Sequence, residues 1–205
     1  MKKLFLVSSF AKVSNKLQLF NEDLEGKTVT FIPAASKVEK VTFYVNSGKK
    51  ALEKMGLIVD ELDLSTATFK DINQKLRDND YIYVTGGNSF FLLQELRRSG
   101  ADKIIVEEID KGKVYIGESA GAVVLSKTIE YIKKMDSPRK ALDLVSYSGL
   151  DIVDFYTVPH YMSSPFSKIT KEIETKYREQ LSLCLINNSQ GIIVEGKHRT
   201  VVTVP

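Results

Sequence analysis

The order in which apolar runs recur along this chain limits its fold more than any other feature. Short runs rich in β-branched and aromatic residues occupy positions 3–9, 28–34, 57–62, 81–85, 113–117 and 152–158. They are largely non-alternating, as strands covered on both faces must be; a half-exposed strand would alternate apolar with polar. Amphipathic stretches lie between them, with residues 38–55 following the second run and 88–98 the fourth. Near the end Ile169, Ile173, Tyr177 and Leu181 fall on one helical stripe. Strand and helix in regular alternation predict an α/β fold: a three-layer, doubly wound, mostly parallel sheet with right-handed crossovers and helices on both faces. The tail departs from this pattern. Residues 191–195, a turn at Gly196-Lys197 and residues 199–204 predict a C-terminal β-hairpin. With 205 residues and no repeat, low-complexity tract or linker, one domain over 1–205 is expected.

Ligands of such sheets bind beyond the carboxyl ends of the strands. The run 113–117 leads into Gly117-Glu118-Ser119-Ala120-Gly121, a Gly-x-Ser-x-Gly turn followed by small, helix-compatible residues. That is the layout of a nucleophile elbow, which lifts the serine hydroxyl clear of the sheet beside the free amides of a helix start. An ordinary turn also uses Gly and Ser, but the strand-to-helix junction favours the elbow. A second glycine turn, Gly86-Gly87-Asn88, ends the run 81–85. Its glycines free backbone amides to face a ligand oxygen, and Asn88 is placed to cap the next helix and to contact substrate. Gly-x-Gly-x-x-Gly is absent, so the turn is not a dinucleotide fingerprint.

A serine hydroxyl needs a general base at neutral pH, and the chain has two histidines. His198 falls in the terminal hairpin and is expected to face solvent. His160 follows the run 152–158, so it is expected to emerge at the same sheet edge as Ser119 and to serve as the base. Position alone leaves the group orienting its imidazole open among Asp136, Asp151, Asp154 and Glu195. Glu118 adjoins the serine, yet neighbours on an elbow point apart, so it reads as a pocket wall or a supporting residue.

Composition mainly excludes. The net charge is +3, and the basic pairs Lys49-Lys50, Arg97-Arg98 and Lys133-Lys134 lack interleaved aromatics, so no nucleic-acid partner is expected. Lys133, Lys134 and Arg139 are candidate cationic contacts, although solvation accounts for each. A single cysteine, Cys184, lies in the apolar run 183–186 and reads as a buried structural thiol in a reducing compartment. The apolar stretch before Ser8-Ser9 is too short for a signal core and no run approaches transmembrane length. The expectation is a cytoplasmic protein without a membrane partner.

Together the motifs resemble the aspartyl dipeptidase (peptidase E) family of serine peptidases. Residues 115–122 match its Tyr-Ile-Gly-x-Ser-Ala-Gly-Ala, and residues 86–93 match its Gly-Gly-Asn-[Ser/Thr]-Phe-x-Leu-Leu. Pro159-His160-Tyr161 matches the family's histidine, and Phe31-Ile32-Pro33-Ala34-Ala35 matches in part an early Phe-Ile-Pro-x-Ala. The resemblance implies a flavodoxin-like fold similar to class I glutamine amidotransferases. It also implies a metal-free, cofactor-free peptidase that removes amino-terminal aspartate from dipeptides and a few longer peptides. Ser119 would be the acylated nucleophile, His160 the base and later the acid, and the backbone amides of Gly87 and Ala120 the oxyanion hole.

Two departures bear on this. The family's late Glu-Gly dipeptide is Gln190-Gly191 here, leaving Gln190, Asp136 or another carboxylate as the third triad member. The family's Gly-Glu-Thr-Arg after the histidine is replaced by Ser167-Lys168-Ile169-Thr170-Lys171, which removes an arginine suited to an aspartate side chain. The expected function is therefore a serine peptidase acting on small peptides, Asp-x dipeptides among them, as a monomer or small homo-oligomer. The alternatives are an amidase or esterase with the same machinery, or a non-catalytic ligand-binding member, which Gln190 favours. Glutamine amidotransferases carry cysteine at the elbow and glutamate at the position of Met162, which argues against their activity.

Overall fold

A computed structural model describes residues 1–20 and 23–204. Strands β1 (Lys3–Val7), β2 (Thr28–Ile32), β3 (Ile58–Glu61), β4 (Tyr81–Val84) and β5 (Val114–Glu118) pair in parallel. β6 (Tyr156–Val158) and β7 (Leu183–Leu185) form a small parallel sheet of their own. β8 (Gln190–Glu195) and β9 (His198–Thr203) return as an antiparallel hairpin, and β8 pairs with β1. The main sheet thus has seven strands in the order β3-β2-β4-β5-β1-β8-β9.

Alternate residues of the central strands enter two different cores, which explains the lack of polar alternation in their sequences. Leu4, Leu6, Ile82, Val84 and Tyr115 face one core, while Phe5, Val7, Tyr81, Tyr83 and Ile116 face the other. The second core is covered by α1 (Phe10–Val13) and α2 (Phe43–Lys54), through Phe10, Val13 and Leu52. The first is covered by α3 (Phe69–Asp78), α4 (Ser89–Ser99), α5 (Ala101–Lys111), α6 (Ala120–Val123) and α7 (Ser167–Tyr177). This is the expected doubly wound α/β arrangement with its C-terminal hairpin.

Three local expectations need correction. The run 152–158 does not become a strand of the main sheet, because β8 occupies the free edge of β1 from Lys3↔Glu195 to Val7↔Gly191. Only Tyr156–Val158 is extended, against β7, while Ile152, Val153 and Phe155 bury their side chains from irregular backbone. The stretch 38–55 is not one helix: a 3-10 helix at Ala34–Val38 precedes α2. The stripe through Ile169, Ile173 and Tyr177 is α7, but Leu181 lies past its end. Cys184 is buried in β7 as a free thiol, and burial pushes its pKa up. Among the described residues no helix is long and apolar enough to cross a membrane.

Candidate active site

Strand β5 ends in a sharp turn. Ser119 has φ 47 and ψ −102, a strained conformation held by its surroundings. Its N–H donates to the Val7 carbonyl at 2.8 Å, tying the elbow to the end of β1. The flanking glycines are needed for close packing. A Cβ on Gly117 would lie 2.7 Å from the Gly121 carbonyl oxygen, and one on Gly121 would run into the Val84 carbonyl. From below, the Tyr115 hydroxyl donates to the Gly121 carbonyl at 2.7 Å. Ala120 opens α6, so its N–H is among those a helix start leaves without an intrahelical partner.

The second glycine turn lies alongside. A Cβ on Gly86 would be 3.3 Å from the Ser119 Cβ and 3.6 Å from a ring carbon of Tyr44. Gly87 has φ +133 and packs so tightly on Ala35 and Ser36 that any Cβ would clash with their backbone. Asn88 is buried and both ends of its amide are bonded. Its Oδ1 accepts from the Phe90 and Phe91 amides at 3.1 and 3.0 Å, and its Nδ2 donates to the Ser137 carbonyl at 3.1 Å. Asn88 thus caps α4 and braces the turn.

His160 reaches Ser119 from the β6–α7 connection. Its Nε2 lies 3.0 Å from Ser119 Oγ. The residue has φ 57 and is pinned by Ser8, whose buried hydroxyl accepts from the His160 N–H at 3.0 Å and donates to the Ile186 carbonyl at 2.9 Å. Phe166 stacks on the imidazole at 4.9 Å. Burial lowers the His160 pKa below its ordinary value, with a bond to Asn188 acting the other way. His198 is exposed at the start of β9.

The partner of the imidazole is Asn188, whose Oδ1 lies 2.6 Å from His160 Nδ1. Sequence reasoning missed it, and the candidates it named lie elsewhere. Gln190 accepts from the Asn187 N–H at 3.0 Å through its Oε1. It thereby supports the turn that presents Asn188, in which Asn187 Oδ1 also accepts from the Ser189 N–H at 2.8 Å. Asp136 accepts from the Ser89 amide and hydroxyl at 2.9 and 2.6 Å. Asp151, Asp154 and Glu195 are exposed. Lys133 and Lys134 are paired with Glu130 and Glu172, and Arg139 is exposed.

Two acids near the turns are perturbed. Burial raises the Asp136 carboxyl to about 6 against the opposing pull of its bonds to Ser89. Burial also raises Glu118, against bonds from the Phe10 amide, Tyr83 and the Gly86 amide. Glu118 is not a pocket wall: only 3% exposed, it points beneath the elbow. Among the described residues no group of three or more His, Cys, Asp or Glu side chains is placed to hold a metal ion.

The chain is similar to known proteins over most of its length. The model of peptidase family S51 matches residues 4–202. The chain is 57% identical over 197 residues to an uncharacterized peptidase of Listeria monocytogenes, with 96% of both chains covered. It is 26% identical to peptidase E of Shewanella denitrificans, over 83% of this chain and 79% of that one. A 1.5 Å crystal structure of a Listeria monocytogenes protein described as a candidate peptidase E superposes over 100% of both chains, with TM-score 0.96 and 55% identity.

Proposed function

The chain belongs to peptidase family S51, and from that premise we propose a serine-type peptidase in which Ser119 forms an acyl-enzyme and His160 moves the protons. The observation that carries the reading is the 3.0 Å contact between Ser119 Oγ and His160 Nε2 on a strained elbow. Accepting at Nδ1, Asn188 Oδ1 selects the tautomer with a proton there, which leaves the Nε2 lone pair facing the serine hydroxyl. Because the imidazole pKa is lowered, the ring is neutral and ready to accept a proton at neutral pH.

As Oγ bonds to the substrate carbonyl carbon, its proton passes to Nε2 and the carbonyl oxygen becomes an oxyanion. The amides of Gly87 and Ala120 receive that charge; one such donor is typically worth about 3 kcal/mol of barrier. Collapse breaks the C–N bond, and Nε2 returns the proton to the departing amine. Water then repeats the sequence with His160 again as base, releasing the acid and restoring Ser119. The substrates are short peptides. An amino-terminal aspartate follows only from the family resemblance, since the segment after His160 carries Lys168 and Lys171 rather than an arginine.

The test is hydrolysis of a dipeptide panel with acidic, amide, apolar and basic first residues, by wild type and by Ser119→Ala. Ser119→Ala is expected to lose about a thousandfold or more in kcat on every substrate cleaved. Retained hydrolysis by that variant would overturn the serine mechanism. Faster cleavage of Ala-x than Asp-x would remove the aspartate preference alone.

A further inference from the structure

Glu118 is a buried carboxylate at the heart of the molecule that the mechanism above does not use. Its Oε1 accepts from the Phe10 N–H at 2.8 Å, and its Oε2 accepts from the Tyr83 hydroxyl at 2.9 Å. The glycine turn packs directly on this strand end: a Cβ on Gly86 would lie 3.3 Å from the Ser119 Cβ and 3.8 Å from the Glu118 carbonyl oxygen. These contacts come from three places that meet at the site: the start of α1 just past β1, the end of β4, and the glycine turn leading to α4. Glu118 itself precedes Ser119 on the end of β5.

Tyr83 is equally confined. Its ring stacks on Phe31 at 5.1 Å and meets Phe10 edge-on at 5.1 Å. Its hydroxyl abuts α2, where a Cβ on Gly48 would come within 2.5 Å of it. No element at this clamp can shift without breaking a buried polar contact, which is costly because such groups have no water to turn to.

We infer that Glu118 is a positioning residue: by binding Phe10 and Tyr83 from beneath the elbow, it fixes the end of β4, and with it the Gly86-Gly87 turn, in register with Ser119. The inference rests on the serine-peptidase reading, in which the Gly87 amide receives the oxyanion. Oxyanion donors act only when aimed at where charge develops, so a small displacement of the turn slows acylation while leaving ground-state binding nearly intact. An amide in place of the carboxylate replaces one acceptor by a donor. Both carboxylate oxygens face donors, and the Phe10 amide cannot reverse its role.

The experiment compares wild type, Glu118→Gln and the milder Tyr83→Phe. For each, kcat and KM are measured on the best peptide substrate, active sites are counted with a fluorophosphonate, and the rate of labelling is followed. Glu118→Gln is expected to lower kcat per labelled site about ten- to a hundredfold, with KM within about twofold. Labelling should slow in parallel, and the acid limb set by His160 should stay in place. Tyr83→Phe should show the same pattern more weakly. A merely structural role would reduce the labelled fraction or the melting temperature and leave kcat per labelled site unchanged; that result overturns the inference. Failure of wild type to label at all sinks the serine mechanism instead.

Discussion

At the scale of single residues, the decisive feature is that the base is oriented by an amide. Asn188 can select the tautomer of His160 through Nδ1, but it has no charge with which to favour an imidazolium. Burial therefore dominates and holds the His160 pKa low. A base must be neutral to act, so the acid limb of kcat/KM lies below the ordinary histidine range and activity persists into mildly acidic solution. Asn188→Asp places a negative charge against the ring, which favours the protonated form. Its acid limb should move to higher pH; a limb that stays in place or moves down contradicts this account of the pair. Asn188→Ala removes the tautomer selection and should lower kcat about a hundredfold or more, read in the same assay at the pH optimum.

At the scale of elements, the site is where loops after β1, β4, β5, β6 and β7 converge. The turn between β7 and β8 carries Asn188 and is held by Gln190 and Asn187. Gln190→Ala loosens that turn without touching the imidazole, so a severalfold fall in kcat is expected, smaller than for Asn188→Ala. The reverse ranking, measured on one substrate, would move the orienting role to Gln190. Much of this layer was legible in the sequence. Gly117 and Gly121 mark the elbow because only a bare backbone fits there, and the pair Gly86-Gly87 marks the second turn. Asn188 was not legible, since Asn187-Asn188-Ser189-Gln190 reads as a polar turn and its approach to His160 spans 28 residues. The β6–β7 pairing was hidden for a related reason: the run 152–158 is apolar enough for the main sheet, and only the hairpin's claim on β1 keeps it out. Helices α3 and α5 were not singled out in the sequence, although the Thr68–Asp71 capping box signals where α3 begins.

At the scale of the whole molecule, the buried acids of the site make stability depend on pH. Asp136 is raised to about 6 from an ordinary value of 3.8. The folded state thus binds this proton more tightly than the unfolded chain. Its contribution is fully present below the unfolded value and is lost as pH rises through the folded one. Asp136→Asn keeps one acceptor for Ser89 and has no such titration. Between about pH 3.5 and pH 7.5 the wild type should therefore lose up to about 3 kcal/mol relative to Asp136→Asn, as read by urea unfolding. Equal slopes for the two proteins would show that Asp136 titrates normally in the fold.

The whole arrangement of sheet edge, elbow and histidine loop has one chemical purpose in this account, which is to make Ser119 a nucleophile. Treating the wild type, Ser119→Ala and His160→Ala with a fluorophosphonate and mapping the adduct by mass spectrometry tests that most directly. A single adduct on Ser119 is expected in the wild type, none in Ser119→Ala, and labelling slowed by orders of magnitude in His160→Ala. An enzyme that cleaves peptides while Ser119 stays unlabelled, or an adduct that maps to another residue, would contradict it.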